Sequence, residues 1–266
     1  MSTFFFRNDD VRETLDDSLV RLTQIFMDYG VPITHAVEPG NVTEEVTSWL
    51  LEVKSRYPRL LEIIQHGFDH ANKLKGPRPG EFGGTRGYQE QYNELKRGME
   101  IMDDRFGDKW FRGFCFPFGP YNPAAMKALN DLGFLLVNSH FNKRISRRAF
   151  NALGNLLRSG YLFGKRVSWN LRYRPGSNLF EADMNVSFIR KYKNEETDCD
   201  FYSLEALQQN TQQYLRYPTV GVLFHHRYHV NDEHFDLVRR YLDWLKTVPD
   251  TEYATMEEIL HKFGKK

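Results

Sequence analysis

Cysteine is nearly absent. Cys115 and Cys199 are the only two among 266 residues, and neither stands in a C-x-x-C pair, so a disulfide framework is excluded and both read as ordinary reduced thiols. Long apolar runs are missing too: none approaches the roughly 18 residues that a bilayer span needs. Phe4-Phe5-Phe6 meets charge at once in Arg7, which leaves no secretory h-region, and the expectation is a cytoplasmic chain with no membrane span. Nor is one charge in excess. Thirty-six Lys and Arg against 35 Asp and Glu give a net charge of +1, which argues against a nucleic-acid partner, whose footprint is a strongly basic face. Internal repeats, low-complexity tracts and clear linkers are also lacking, so residues 1–266 read as one domain.

The chain is 41% hydrophobic, 27% charged and 15% aromatic. That is a globular balance, in which aromatics fill a bulky core first and offer stacking faces to carbohydrate second. Apolar runs and amphipathic stretches alternate. Thr3 to Phe6 reads as a strand buried on both faces, followed by a helix through Leu15, Leu19, Leu22, Ile25 and Phe26. Val31 to Val37 is a second strand, and Thr43 starts a helix carrying Trp49, Leu50 and Val53. Leu60 to Gln65 is the third strand. A long loop from Asn72 to Gly87, with five glycines, precedes a helix over Tyr88 to Phe106; loops of this size are usually functional. Trp110 to Phe116 and Phe134 to Asn138 read as strands on either side of a helix at Pro123 to Leu132. Residues 142–200 read as an irregular insertion with a basic cluster at Lys143, Arg144, Arg147 and Arg148, taken as a solvated face. A Ser203-capped helix to Tyr214, a strand over Thr219 to Phe224 and a helix opening at Asn231-Asp232 complete the pattern. Alternating βα units predict an α/β fold, with a barrel ordinary at this length.

Four of the apolar strands run into chemistry-bearing residues: Asp9-Asp10, His66…His70, Pro117-Phe118-Gly119 and His225-His226. In an α/β barrel such ends meet at the C-terminal rim, where active sites are built. Two histidines at i and i+4 can reach one metal ion if the backbone between them turns tightly, and a carboxylate from Asp9-Asp10 completes a site with open positions.

These fragments resemble the polysaccharide deacetylase family, the NodB-homology carbohydrate esterases. Arg7-Asn8-Asp9-Asp10-Val11 is similar to its T-F-D-D-G motif, and His66-Gly67-Phe68-Asp69-His70 matches the spacing of H-[ST]-x-x-H. Phe116-Pro117-Phe118-Gly119 is similar to the segment ending in P-P-Y-G, and Leu223-Phe224-His225 to the late L-x-H. Glu81-Phe82 before the long helix is a further family-like feature. The resemblance implies a distorted (β/α) barrel of about seven parallel strands and a metal-dependent hydrolase removing acetyl groups from an N-acetylated glycan, such as a surface-polysaccharide precursor. It implies Asp10, His66 and His70 as ligands of a divalent ion, zinc foremost with nickel, cobalt or manganese as alternatives. Asp9 would be the general base, His225 the general acid and the Phe118 N–H the oxyanion donor. Leu223, two residues before His225 on one strand face, would line the acetyl pocket.

Three departures stand out. Cys115 occupies the place of the family's third-motif Arg, with Arg7, Arg112 and Arg227 as candidate replacements. Gly67 replaces a Ser or Thr, and the Asp-x-x-x-Trp motif whose Asp tunes the catalytic His has no counterpart. His226 and His229 are alternative acids. Two other readings are a barrel that binds glycan or metal without turnover, and a metallopeptidase with an inverted H-x-x-E-H site, which requires both histidines on a helix.

Overall fold

Phe4, Phe5 and Phe6 are all fully buried, as a strand covered on both faces requires. They belong to β1 (Ser2–Val11), the first strand of a computed structural model that describes residues 1–75, 79–140, 149, 153, 171–172, 177–193 and 197–264. The expected alternation follows: α1 (Asp17–Tyr29), β2 (Ile33–Val37), α2 (Glu44–Arg56), β3 (Leu61–His66), α3 (Tyr88–Phe106), β4 (Gly113–Cys115), α4 (Pro123–Asp131) and β5 (Leu136–His140). Next come β6 (Leu171–Arg172), β7 (Phe180–Met184), β8 (Val186–Ser187), β9 (Ile189–Tyr192) and β10 (Cys199–Phe201). The helix Leu204–Gln212, β11 (Thr219–His225), the helix Asp232–Thr247, β12 (Thr251–Tyr253) and the helix Met256–Phe263 end the chain. Helix starts fall where the caps allow: Thr43, Ser203 and Asn231 each accept a hydrogen bond from the backbone three residues on.

The parallel strands run in the order β7-β5-β4-β3-β2-β1-β11-β8, a nearly closed α/β barrel. There are eight rather than about seven because one segment breaks in two. β7 pairs with β5 and β8 with β11, and Asn185 sits at the break, donating its N–H to the Gly221 carbonyl at 2.9 Å while its Oδ1 accepts from the Gly221 N–H at 2.7 Å. A single stretch of chain thereby joins both ends of the sheet. The expected irregular insertion thus contains a barrel strand, in which even Glu181 and Asp183 are buried. The basic cluster Lys143, Arg144, Arg147 and Arg148 lies outside the described residues.

Alternation along the strands divides the core. Phe5, Ala36, Ile64, Cys115, Leu136, Ala182 and Leu223 face one another inside the barrel, while Phe4, Phe6, Phe114 and Phe224 pack outward under the helices. Met256 and Ile259 close the N-terminal end, where the Glu62 carboxylate accepts from the Met256 and Glu257 N–H groups at 2.9 and 2.8 Å, an anion at a helix N-terminus. The polar residues therefore gather at the opposite, C-terminal rim. Among the described residues no helix is long and apolar enough to cross a membrane.

Candidate active site

Neighbouring residues of a flat strand point to opposite faces, so Asp9 and Asp10 could not both enter one site from a regular β1. A register shift between Asn8 and Val11 and a left-handed Asp10, at φ 63°, solve this: the bulge re-aims Asp10 toward the rim. Arg7 and Asp9 share the inner face, two residues apart. Arg7 Nε donates to Asp9 Oδ1 at 2.6 Å and Nη2 to Oδ2 at 2.7 Å, a bidentate pair buried on both sides. Its remaining nitrogen Nη1 donates to Asn138 Oδ1. Burial alone would raise the Asp9 carboxyl, but the Arg7 guanidinium, helped by His66 and His225, outweighs it and holds Asp9 below the usual carboxylate range. Of the three candidate replacements for the missing arginine, Arg7 is the one that faces Asp9. Arg112 pairs with Asp103 and Arg227 with Glu13.

His66 ends β3 and His70 sits in the turn beyond it, at φ 54°. No helix carries the two, which removes the inverted metallopeptidase reading. Gly67 makes the turn possible at φ 57°; a Cβ there would overlap Glu81 Oε2 and the Pro117 ring, whose Cδ would lie at 2.7 Å. The Glu81 carboxylate thus fills the space a side chain would take, and its Oε1 accepts from the Phe68 and Asp69 N–H groups at 2.9 and 3.0 Å. Phe118, at φ 58°, is 40% exposed and packs its ring 4.3 Å from that of His70. Asp10, His70 and Phe118 are three of the four non-glycine residues at positive φ among the described residues. Backbone strain of this kind persists where the surroundings over-determine it, typically at functional sites.

Three side-chain clusters bring potential ligand atoms within 4.8 Å of one another: Asp9-His66-Cys115, Asp69-Glu81-Glu94 and Asp10-His66-His70. In the first, both Asp9 oxygens are taken by Arg7. In the second, the Lys73 ammonium already bridges all three carboxylates. The third fits a cation. His66 Nε2 and His70 Nε2 each lie 3.3 Å from Asp10 Oδ1, yet that buried oxygen has no hydrogen-bond partner among the described residues. Burial lowers the pKa of His70 to about 4, against Asp10 and Asp9, so its ring is neutral at pH 7 with a lone pair to offer. Burial also opposes a charge on His66, but Cys115, Asp9 and Asp10 push its pKa well above the ordinary value; this pocket demands a positive charge. His66 Nδ1 lies 3.3 Å from the Cys115 carbonyl, a partner that directs Nε2 at Asp10.

His225, at the end of β11, stands opposite Asp9 in the register, with Nε2 3.9 Å from Asp9 Oδ2. Leu223 lies one layer below on the same inner face, buried against Phe5 and Cys115 in the barrel interior. The alternative acids are elsewhere. His226 has Nδ1 3.1 Å from Asn8 Nδ2 and its N–H bonded to Asn8 Oδ1 at 2.8 Å. His229 is buried among Phe188, Phe201 and Phe224, with Nδ1 3.1 Å from the His225 carbonyl, and burial lowers its pKa to about 3. The structure thus brings Asp9, Asp10, His66, His70, Phe118 and His225 to one rim. Sequence reading did not single out Asn138, nor Tyr192, whose hydroxyl lies 3.1 Å from His225 Nδ1. Arg7, two residues before Asp9, carried the legible signal of a shared strand face.

Comparison with known proteins agrees with this geometry. The family model described as polysaccharide deacetylase matches residues 8–137, the segment holding the first three motifs. A comparison with curated proteins gives no match. Among solved structures, a candidate polysaccharide deacetylase from Mycobacterium smegmatis superposes with a TM-score of 0.70 at 15% identity, covering 99% of this chain and 90% of its own. A family 4 acetyl xylan esterase from Clostridium thermocellum, in complex with a cobalt ion, gives 0.61 at 10% identity, with 99% and 92% covered. A family pseudoenzyme from Bacillus anthracis gives 0.58 at 13% identity, with 97% and 65% covered. At such identities the structural likeness is one of fold, and it extends over the part of the chain that the family model does not reach. Residues 8–137 thus match the polysaccharide deacetylase family, and the rest of the chain shares the fold of its solved structures.

Proposed function

We propose that the protein is a metal-dependent N-deacetylase acting on an N-acetylated sugar of a polysaccharide or glycan precursor. One observation carries the reading: a carboxylate clamped by Arg7 stands beside a second, Asp10, whose unpartnered oxygen faces two histidine nitrogens. Asp10, His66 and His70 would hold the divalent ion, with zinc, nickel, cobalt and manganese all suited to two imidazoles and a carboxylate. When bound, such an ion supplies Lewis-acid activation of water and of the acetamido carbonyl, which so weakly basic a carboxylate as Asp9 needs.

The protein's own groups do the rest. Asp9, fixed on both oxygens by Arg7, accepts the proton of the attacking water. His225, with Nε2 facing Asp9 across the site, returns a proton to the departing amine, so that amide and water become amine and acetate. The Phe118 N–H is the oxyanion donor; its left-handed backbone turns this peptide away from regular strand geometry. Leu223 faces the acetyl methyl from the layer below. The half-exposed rings of Phe118 and Tyr192 flank the site and give the apolar face of a sugar ring something to pack on.

Acetate release from chitotetraose and other N-acetylated oligosaccharides tests the proposal. Turnover should vanish with chelator and with Asp9→Asn, while zinc stays bound to that variant. A purified protein that binds zinc but releases no acetate from any of them would support a barrel without turnover instead.

A further inference from the structure

The clamp on Asp9 has a far end. Arg7 and Asp9 lie two residues apart on one strand, so a pair between them alone ties the carboxylate to nothing outside β1. The guanidinium is donor-only, with five N–H groups in a rigid plane, and Arg7 is buried, so the donors that Asp9 leaves over have little water to turn to. Nη1 points away from the carboxylate and donates to Asn138 Oδ1, with the Asn138 carbonyl at 3.5 Å. Asn138 comes from the opposite wall: it ends β5, and β4, β3 and β2 lie between that strand and β1. It stands two residues beyond Leu136, which faces the barrel interior, and so shares that face. Its neighbour in register on β4 is Cys115, whose small thiol leaves Arg7 room to cross. The carboxamide cannot turn over. Its oxygen must face the guanidinium, and its Nδ2 donates to the Ala182 carbonyl of β7 at 2.9 Å. Asp9, Arg7, Asn138 and Ala182 thus form one hydrogen-bonded chain across the barrel, from β1 through β5 to β7.

We infer that Asn138 is a positioning residue for the general base: it fixes the far end of Arg7 and, through Arg7, the direction in which the Asp9 carboxylate faces. Among the described residues its side chain bonds only to Arg7 and to Ala182, so its influence on Asp9 passes through the guanidinium. A bidentate pair carries geometric direction as well as charge. With its far end loose, that pair could swing as a unit about the strand both residues share. A displacement of about 1 Å at a catalytic group is enough to cost about 100-fold in rate. The anchor on β5 removes that freedom, because Arg7 is then held from two walls of the barrel at once.

This inference rests on Asp9 being the general base of the proposed deacetylase, and two readouts separate the claims. Asn138→Leu keeps the bulk of the side chain without its oxygen and nitrogen. It should lower kcat for acetate release from chitotetraose about tenfold or more, with KM and zinc affinity unchanged. In an Arg7→Lys protein the same substitution should cost about twofold or less, because the fork it acts through is already gone. A merely structural role would multiply the two losses. The second readout needs no turnover: solvent exchange of the Arg7 Nε–H, followed by nitrogen-15 NMR of the zinc-loaded full chain and assigned by its loss in Arg7→Lys. Asn138→Leu should speed this exchange about tenfold more than it speeds the backbone amide of Phe5, which reports opening of β1 as a whole. Asn138→Ala, which adds no apolar bulk, is carried through both measurements beside it. Losses that multiply, or an Arg7 Nε–H that speeds up only as much as the Phe5 amide, overturn the inference. A wild type that binds zinc and releases no acetate overturns the deacetylase reading instead, and the exchange rates still decide the role of Asn138.

Discussion

Restoring the family's hydroxyl at position 67 should damage this protein. In Gly67→Ser the new Cβ is built on a backbone at φ 57°, where a non-glycine residue costs about 1 kcal/mol. It also enters space held by Glu81 Oε2 and the Pro117 ring; relieving an overpacked site costs about 1–3 kcal/mol. The sum is a destabilisation of about 2–4 kcal/mol, measured by urea unfolding of the chelated protein. Because Glu81 is what anchors the Phe68 and Asp69 N–H groups, moving it also frees the turn between His66 and His70, and zinc affinity by calorimetry should fall about 10- to 100-fold. The clash predicts its own partial cure. Glu81→Ala alone strips two backbone donors of their acceptor, yet in the double variant part of the overlap is gone, so the two changes together should cost about 1 kcal/mol less than their sum. Pro117 keeps the cure from being complete. A Gly67→Ser protein within about 0.5 kcal/mol of wild type, or one that binds zinc more tightly, would refute the assignment of Glu81 as the occupant of that space.

The remaining expectations follow from the same contacts. Arg7→Lys leaves Asp9 a point charge in place of a fork, and kcat for acetate release should drop about 100-fold with KM and zinc binding little changed; an unaltered kcat would show that the clamp is not what orients Asp9. Saturating zinc should stabilise the wild type by about 3 kcal/mol at a hundredfold excess over Kd, a shift in thermal unfolding that Asp10→Ala and His70→Ala should each abolish. Glu38, buried beside the site, has its carboxyl pushed up from 4.5 to about 7 by burial and then by Asp10. A raised folded-state pKa means its contribution is fully present below pH 4.5 and lost as pH rises through about 7. In chelator, Glu38→Gln should therefore gain on the wild type between those values by an amount of order 3 kcal/mol, and a difference flat with pH would show that Glu38 is not buried as a neutral acid.

Much of the fold was legible because the signals were local. Apolar runs marked β1, β2, β3 and β11, and side-chain caps at Thr43, Ser203 and Asn231 placed the helix starts. The stretch that closes the barrel was not, since a strand with Glu181 and Asp183 on one face looks like surface until the elements that bury that face are known. Within the site, residue types and strand ends could be read, but the partnerships could not. Whether Arg7, Arg112 or Arg227 faces Asp9 depends on which strand face each occupies and on what else is near, and only a folded chain shows Arg112 and Arg227 spent on Asp103 and Glu13.

Two of the lost family side chains are matched here by groups arriving from different elements. Arg7 on β1 reaches Asp9 where an arginine at position 115 would have come from β4, and Cys115 is small enough to leave that path clear, its Sγ 3.9 Å from Asp9 Oδ1. Glu81 takes the space beside Gly67. The strained backbones at Asp10, His70 and Phe118 are the part with no substitute, because they aim the carboxylate, the second imidazole and the rim aromatic. Of order 1 kcal/mol is stored at each such position, and burial of the surrounding strands must hold it in place. Conformation at the rim is thus specified more tightly than residue identity behind it, and that ordering explains how the motif pattern can drift while the rim geometry it serves stays assembled.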